Sequence, residues 1–254
     1  MKLEEKIKNK FLYSKKKNLF KYFYFFLQRF KNRGLKRNYT VTGVDLLLDN
    51  FFKKLNIKKG IYVDVGCNHP FFNNYTFLLN KNGWSGINID LDFHYIDMFN
   101  YFRPNDHNKQ IAIAEKRGET DLFFYHNKSA INTLSKEIYS SRGSAAKEIR
   151  KIQTETLNNV IQNSPFVDMK INLLTIDVEG FEMNVLKGFD LDKYSPEAII
   201  VEYIDPLMKK EEFYNQNINN VINSDLFRFM NDKNYNFVNW IHTDLIFINK
   251  RIKD

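Results

Sequence analysis

One apolar run that ends at a glycine limits what this chain can fold into. Residues 60–68 have the sequence Gly-Ile-Tyr-Val-Asp-Val-Gly-Cys-Asn, in which branched aliphatic residues alternate with other side chains before Gly66. This pattern predicts a buried strand followed by a tight turn, and a glycine lets that turn approach a ligand without a Cβ in the way. Because ligands of open α/β sheets bind beyond the carboxyl ends of the strands, we expect Asp64 to stand at a binding edge.

A second strand with an acid at its end follows after one predicted helix. The helix covers about residues 71–82 and closes at Gly83, and the strand covers residues 86–90. Asp90 then lies one strand–helix–strand unit beyond Gly66, where folds of this kind bind the two hydroxyls of a ribose. This order of elements is typical of a nucleoside-binding site.

The spacing of the glycines indicates which nucleoside the site accepts. A dinucleotide site needs the pattern G-x-G-x-x-G so that a pyrophosphate can approach the start of the helix, but the next glycine after Gly66 is Gly83. S-adenosylmethionine carries no phosphate and therefore fits this pattern better. The alternative is that Asp64 and Asp90 are ordinary polar residues at strand ends.

Two further acids end predicted strands in the second half of the chain. These strands cover residues 171–177 and 198–203, and Asp177 and Glu202 lie at their ends. Because the carboxyl ends of parallel strands meet at one edge of a sheet, we expect these acids to lie beside the two described above. In a chain rich in lysine, four acids at strand ends are harder to explain as solvated surface than one acid alone.

Periodicity and turn residues predict the remaining elements of an α/β fold. The predicted helices cover residues 41–55 (Thr42 as a cap; Val44, Leu47, Leu48 and Phe51 inward), 93–102, 157–162, a segment closed by Gly188, and 218–230. The predicted strands cover residues 110–114, 119–125 as part of an added hairpin, and a final antiparallel pair at 235–240 and 244–249. The polar segment 126–143 is either a lid on the acceptor side of the site or a mobile surface loop.

The first 40 residues differ in composition from the rest. They are basic and aromatic, with apolar side chains at helical spacing between lysines and arginines, so we divide the chain into a helical extension over residues 1–40 and a main domain over residues 41–254. The extension is either an interfacial helix on an anionic bilayer or a helix that packs on its own domain or on a second subunit. The sequence therefore leaves peripheral membrane contact and homo-oligomer formation both open.

Charge and cysteine content exclude some classes of protein. The net charge of +8 permits an anionic partner, but the excess of Phe, Tyr, Asn, Lys and Ile is also typical of an AT-rich coding bias. The single cysteine, Cys67, excludes an internal disulfide framework and a cysteine zinc cluster. The longest apolar run, residues 22–27, is far shorter than the roughly 20 residues of a spanning helix, and no secretory signal is evident. We expect a cytoplasmic protein, with membrane association left open.

Three ordered motifs together resemble the FkbM family of S-adenosylmethionine-dependent methyltransferases. They lie at residues 62–68 (YVDVGCN), 83–90 (GWSGINID) and 177–182 (DVEGFE), and the likeness covers roughly residues 60–249. The resemblance implies an α/β, Rossmann-like class I methyltransferase fold: a seven-stranded, mostly parallel sheet with helices on both faces and an antiparallel last hairpin. It also implies methyl transfer to a hydroxyl, often of a sugar in glycan, capsule or natural-product assembly.

The resemblance also implies which residues bind the cofactor. Carried over by position, they are Asp64, Gly66 and Asn68 at the methionine end, Asp90 at the ribose, and Asp106 and Ala112 near the adenine. Asp90 and Leu91 stand where the family often has glutamate followed by proline. The shorter acid can still accept two hydroxyl hydrogen bonds, so this departure concerns the local loop shape rather than the cofactor.

The candidates for chemistry are the acids and the histidine near the later strand ends: Asp177, Glu179, Glu182, Glu202 and His242. Two mechanisms are open. A carboxylate or His242 acts as general base toward the acceptor hydroxyl, or Asp177 and Glu202, together with His242, bind a divalent cation that lowers the pKa of that hydroxyl. The alternatives are that Glu179 and Glu182 are acids favoured at a helix N-terminus and that His242 is an ordinary turn residue.

The expected acceptor is a sugar, either nucleotide-linked or within a glycan. Four basic residues of the middle segment are available to bind a diphosphate: Lys128, Lys136, Arg142 and Lys147. One alternative is a nucleic-acid methyltransferase, which needs a basic, aromatic-lined groove, whereas the lysines here are spread through the chain. The other is a non-catalytic, membrane-associated scaffold that retains only the fold. We therefore expect no nucleic-acid partner.

Overall fold

The structure is a computed structural model that describes residues 37–126, 129, 131–142, 146–205 and 213–252. Of the helical extension predicted for residues 1–40, residues 1–36 lie outside the described residues. In chain order the first elements are α1 (Val44–Lys54), β1 (Ile61–Val65), α2 (Phe77–Lys81), β2 (Ser85–Asp90), α3 (Phe93–Phe102), β3 (His107–Gln110), β4 (Ala112–Ile113), β5 (Gly118–Phe124), α4 (Lys136–Ser141) and β6 (Glu148–Glu155). They are followed by α5 (Leu157–Gln162), β7 (Ile171–Ile176), α6 (Glu182–Lys187), α7 (Leu191–Tyr194), β8 (Ala198–Glu202), a 3₁₀ helix (Phe213–Asn215), α8 (Ile218–Ile222), α9 (Asp225–Asp232), β9 (Tyr235–Ile241) and β10 (Asp244–Asn249).

Within these residues, a seven-stranded sheet has the order β3-β2-β1-β7-β8-β10-β9. The first five strands in this order pair in parallel, while β10 pairs antiparallel with both β8 and β9. The strand order reverses direction between β1 and β7, which is where an open α/β sheet forms a crevice. The mostly parallel sheet and its antiparallel last hairpin confirm the predicted fold class.

The alternating side chains of the central strands supply two apolar cores. Val63 and Val65 of β1 pack in one core with helices α5 to α9, and Tyr62 packs in the other with α1 and α2. Successive side chains of a strand point to opposite faces of a sheet, so the two cores lie on its two faces. Helices therefore cover both faces, and the carboxyl ends of the strands are left for a site.

Two helices begin later than the sequence predicts. The helix expected from residue 71 begins at Phe77, because residues 66–76 form a loop held by side-chain hydrogen bonds. The helix expected from residue 41 begins at Val44, and the backbone amide of Gly43 donates to Thr40 Oγ1 at 2.9 Å rather than to a Thr42 cap. On that helix, Leu47 is exposed and Phe52 is buried in its place.

Three other predicted elements are divided or paired differently. The strand expected at residues 110–114 is split, since β3 joins the large sheet while β4 pairs with β6 in a separate three-stranded sheet of order β4-β6-β5. The strand predicted at 119–125 pairs antiparallel with β6, across the intervening α4. The helix predicted at 218–230 is interrupted, because Ser224 accepts from the Phe227 amide and starts α9 anew.

Among the described residues, no helix is both long enough and apolar enough to cross a bilayer.

Candidate active site

A cavity of about 610 Å³ opens at the carboxyl ends of the parallel strands. Its lining includes residues from four strand ends: Gly66 and Asn68 after β1, Asp90 of β2, Asp177 after β7 and Glu202 of β8. The structure thus brings together the strand-end residues expected from the sequence, except Asp64.

The turn after β1 needs a glycine for two reasons. Gly66 has a φ of 80°, in the left-handed region that disfavours other residues. A Cβ on Gly66 would lie 1.7 Å from the carbonyl oxygen of Asp177, so the backbones of the β1 and β7 turns are in direct contact. The amide of Gly66 also donates to the carbonyl oxygen of Ile89 at 2.8 Å, which fixes the turn against β2. This close packing brings the ends of three strands around one cavity.

Asp90 is held by backbone amides and faces the cavity. Its two carboxylate oxygens accept from the amides of Asn68 and Asp92, each at 2.8 Å. Burial raises the pKa of Asp90 to about 6, and these two hydrogen bonds oppose the rise. A carboxylate can accept about four hydrogen bonds, so Asp90 retains acceptor capacity toward a ligand in the cavity.

An apolar wall of the cavity lies close to Asp90 in the fold. Its residues come from the segments that follow β2 and β3, from β5 itself and from the segment after β5: Leu91, Ile111, Ala112, Ile113, Leu122 and Leu134. The predicted residue Ala112 is therefore at the cavity. The other residues of the wall are not predicted from the sequence, because it is the break between β3 and β4 that brings this wall to the cavity edge.

Two residues predicted to bind the cofactor, Asp64 and Asp106, form hydrogen bonds within the fold and do not line the cavity. Asp64 is buried beneath the turn, where it accepts from Thr175 Oγ1 at 2.7 Å and from Thr76 Oγ1 at 3.0 Å. Burial raises the pKa of Asp64, and these hydrogen bonds oppose that rise. Neither Asp64 nor Asp106 lines the cavity.

Asp106 joins β1, β2 and the segment before β3. It accepts from Tyr62 Oη at 2.5 Å, the Gly86 amide at 3.0 Å and Asn88 Nδ2 at 3.0 Å. Burial raises its pKa, and the same hydrogen bonds lower it. Both carboxylate oxygens of Asp106 are therefore used in hydrogen bonds to β1 and β2.

A cluster of three carboxylates occupies the other part of the cavity. Asp177, Glu179 and Glu202 each offer one oxygen, and these oxygens lie within 4.8 Å of one another. Burial raises the pKa of Asp177 and of Glu202, and the neighbouring carboxylates raise both further. The Oε2 atom of Glu202 is buried and has no hydrogen-bond partner among the described residues. The cluster is therefore suited to a proton or to a cation.

Asp244 is a cavity residue that the sequence interpretation did not identify. It is buried at the start of β10, directly opposite Glu202 in the antiparallel register. It accepts from Tyr75 Oη at 2.6 Å, and burial raises its pKa to about 6. Tyr75 also lines the cavity. The sequence signal was weak, because the position of Asp244 depends on how two distant strands pair.

Glu182 does not line the cavity, although the sequence made it a catalytic candidate. Its Oε1 atom accepts from the amides of Val178 at 3.1 Å and Gly180 at 2.9 Å. Burial raises its pKa to about 7, and hydrogen bonds to backbone amides oppose that rise. Glu182 therefore shapes the turn that carries Asp177 and Glu179.

His242 lines the cavity but stands apart from the carboxylate cluster. It is exposed, has a φ of 56°, and its Nδ1 lies 3.3 Å from Thr243 Oγ1. The group of oxygens within metal-ligand distance contains Glu179 rather than His242.

Part of the polar segment 126–143 contacts the turn after β7. Arg142 forms an ion pair with Glu179, and Thr133 Oγ1 donates to the Glu179 carbonyl oxygen at 2.6 Å. A Cβ on Gly180 would lie 2.2 Å from Ile138 Cγ1, so this glycine is needed for close packing. Of the predicted basic residues, Arg142 is thus at the carboxylates of the cavity, whereas Lys128 lies outside the described residues.

The chain is similar to known proteins in both sequence and structure. The family model described as "Methyltransferase FkbM domain" matches residues 64–237, more than half of the chain. Among solved structures, the methyltransferase FkbM from Methylobacillus flagellatus KT aligns at 12% identity with a TM-score of 0.45, over 75% of this chain and 44% of that one. Monomeric WbdD aligns at 13% identity with a TM-score of 0.38, over 82% and 40%. The chain spans less than half the length of either structure, and no curated protein sequence matches it.

Proposed function

The chain belongs to the FkbM methyltransferase family, and from this premise we propose that it transfers a methyl group from S-adenosylmethionine to a sugar hydroxyl. The observation that carries the proposal is that one cavity is lined by two different groups of residues at different strand ends. Asp90, at the end of β2, and the apolar wall are the first part, and the carboxylates of Asp177 and Glu202, at the ends of β7 and β8, are the second, with β1 between them in the sheet order. A nucleoside fits the first part by its chemistry, and a hydroxyl to be deprotonated fits the second.

The residues of the first part fit this cofactor. Asp90 would accept hydrogen bonds from the ribose hydroxyls, and Leu91 and Ala112 offer apolar surface to an adenine. Gly66 and Asn68, which both line the cavity, would hold the methionine end. When bound, S-adenosylmethionine supplies a sulfonium methyl that is already activated for transfer. The protein must therefore orient the acceptor and accept its proton.

The acceptor-side carboxylates are suited to accept that proton. Asp177, Glu202 and Asp244 line the cavity, and burial raises the pKa of each. A carboxylate with a raised pKa is a stronger base toward a hydroxyl than an ordinary one. Of these residues, Asp177 is the one whose backbone packs directly against Gly66 in the turn after β1. We therefore propose Asp177 as the general base. Glu179 is held beside it by Arg142.

The same carboxylates also fit a divalent cation. Hard cations such as Mg²⁺ prefer carboxylate oxygens, and Asp177, Glu179 and Glu202 offer three within 4.8 Å of one another. The buried Oε2 atom of Glu202, which lacks a partner among the described residues, supports this arm of the proposal. A cation held there would lower the pKa of the acceptor hydroxyl.

The class of acceptor rests on family membership and on the residues at the cavity edge. Arg150 lines the cavity, and its guanidinium lies 3.4 Å from the centre of the Phe124 ring. The guanidinium of arginine stacks on aromatic rings and is suited to binding phosphate groups. We therefore propose a nucleotide-linked or glycan sugar, in the assembly of a polysaccharide such as a capsule.

Transfer of labelled methyl from S-adenosylmethionine tests the proposal. The full-length protein is incubated with a panel of nucleotide sugars and oligosaccharides, with Mg²⁺, with Mn²⁺ and with a chelator, and products are identified by mass spectrometry. We expect a methylated sugar in at least one reaction, and none with Asp177→Asn. Methylation of added RNA or DNA, without methylated sugar, would contradict the proposed acceptor.

A further inference from the structure

Arg103 is a buried cation that no part of the proposed reaction uses. It follows α3 and is only 3% exposed, and none of the ion pairs among the described residues includes it. Its guanidinium carbon lies 4.8 Å from the centre of the Phe99 ring. Burying a charge is costly unless hydrogen bonds and an opposite charge compensate for it. The partners of Arg103 therefore require an explanation.

Within the part of the chain that the structure describes, the guanidinium has three hydrogen-bond acceptors, and all of them lie on the loop of residues 66–76. Nη1 donates to Thr76 Oγ1 at 2.9 Å, and Nη2 donates to Asn74 Oδ1 at 2.8 Å and to the carbonyl oxygen of Pro70. The planar, forked guanidinium can reach several acceptors in fixed directions, which an ammonium group cannot do. Arg103 thus fastens the middle and the end of one loop.

The charge of Arg103 is balanced through that loop by Asp64. Thr76 Oγ1 also lies 3.0 Å from an oxygen of Asp64, to which its hydroxyl donates, and Asn74 Nδ2 lies 3.3 Å from the same oxygen. Asn74 Nδ2 additionally donates to the carbonyl oxygen of Cys67 at 3.0 Å. The result is a buried cation and a buried carboxylate that share two polar side chains, with the loop between them.

The loop supplies both parts of the cavity. On the cofactor side, the Asn68 amide donates to Asp90, and on the acceptor side, Tyr75 Oη donates to Asp244. Both loop residues line the cavity, whereas Arg103 does not. Movement of the loop would therefore disturb the hydrogen bonds that hold Asp90, the proposed ribose anchor, and Asp244 on the acceptor side.

We propose that Arg103 is a positioning residue, which holds the loop of residues 66–76 so that the cofactor and acceptor parts of the cavity stay aligned; this inference rests on the proposed function. Arg103 touches neither reactant. Its contribution is the fixed geometry of three acceptors, neutralised through Thr76 and Asn74 by Asp64.

The test compares Arg103→Met, Arg103→Lys and the double variant Arg103→Met/Asp64→Asn with the wild type. Arg228→Met is the matched control, because Arg228 is exposed and its hydrogen-bond partners lie outside the loop. The measurements are S-adenosylhomocysteine affinity by calorimetry, urea denaturation, and hydrogen exchange of the loop amides. Arg103→Lys keeps the charge and provides the measurement if Arg103→Met does not fold.

We expect Arg103→Met to weaken S-adenosylhomocysteine binding by roughly tenfold or more and to speed hydrogen exchange in residues 66–76. The double variant should regain stability, because Asp64→Asn removes the buried carboxylate that Arg103→Met leaves without a cation, but it should not regain affinity. Arg103→Lys should also lose affinity and show faster loop exchange, since a point charge does not replace the fork.

Two results would overturn the inference. One is wild-type affinity and loop exchange in Arg103→Met or in Arg103→Lys. The other is recovery of affinity together with stability in the double variant, which would make Arg103 a residue of the core alone. If the wild type itself does not bind S-adenosylhomocysteine, the proposed function fails. Loop exchange in the variants then still decides whether Arg103 holds the loop.

Discussion

Glu182 separates a structural role from a catalytic one. Its Oε1 atom accepts from the amides of Val178 and Gly180. In Glu182→Gln an amide oxygen can take over both hydrogen bonds, whereas Glu182→Ala leaves two amide donors without an acceptor. Each buried donor left unsatisfied costs about 1–3 kcal/mol. Because both hydrogen bonds are only part-buried, the lower end of that range applies to each. We therefore expect Glu182→Ala to lower the free energy of unfolding by roughly 2 kcal/mol, and Glu182→Gln to change it by less than about 1 kcal/mol at acidic pH.

The pH dependence of the free energy of unfolding, compared between the wild type and Glu182→Gln, gives a second, independent magnitude. Burial raises the pKa of Glu182 from 4.5 to about 7. The folded state therefore favours the protonated carboxyl, and the stability of the wild type falls as pH rises from about 4.5 through about 7. The loss is roughly 3 kcal/mol. Gln does not ionise, so Glu182→Gln should become more stable than the wild type above about pH 7.

Urea denaturation followed by circular dichroism measures both effects. The three proteins are compared at about pH 5 and about pH 8, on either side of the raised pKa. If Glu182→Gln is destabilised as much as Glu182→Ala, the acceptor role is wrong. If Glu182→Gln is stable but loses methyl transfer with an identified acceptor, Glu182 takes part in the chemistry after all.

We also predict the effects of substitutions at the buried aspartate, at the proposed ribose anchor and at the glycine turn. Thr175→Val removes the hydroxyl that donates to Asp64 at 2.7 Å, and it should lower the free energy of unfolding in urea by about 1.5–3 kcal/mol. Thr175→Ser keeps the hydroxyl and should lower it by only about 1 kcal/mol. Equal losses in the two variants would contradict the role of this hydrogen bond. Burial raises the pKa of Asp90 to about 6, so S-adenosylhomocysteine affinity in calorimetry should rise about tenfold between about pH 5 and pH 7 as this carboxyl ionises. Asp90→Asn should remove this pH dependence. A wild-type affinity that does not change with pH would refute the prediction. Gly66→Ala puts a Cβ 1.7 Å from a carbonyl oxygen of the β7 turn and should abolish that binding, whereas Gly118→Ala, whose Cβ would meet nothing within 4 Å, should bind as the wild type does.

The sequence predicts the parts of the site that depend on local pattern. A buried strand that runs into a glycine is visible in the residues themselves, so Gly66 and its neighbour Asn68 could be placed at the cavity. The same holds for Asp90, Asp177 and Glu202, because each lies at the end of an apolar run.

The remaining parts depend on side-chain direction and on distant pairing. Asp64 is one residue short of the strand end, and its carboxylate points to Thr175 and Thr76 inside the fold. Asp106 is used by β1 and β2, which lie far from it in the sequence. Asp244 reaches the cavity only through the register of β10 on β8. A one-residue change in register would turn its side chain to the other face.

The central claim is that the cavity beside Asp90 binds a nucleoside cofactor. Calorimetric titration of S-adenosylhomocysteine into the folded wild type and into Asp90→Ala, each with and without a chelator, tests it most directly. We predict binding to the wild type that survives the chelator and is weakened roughly tenfold or more in Asp90→Ala, since two hydrogen bonds to a charged acceptor are lost. No binding by the folded wild type, with or without divalent cations, or equal binding by the variant, would contradict the account.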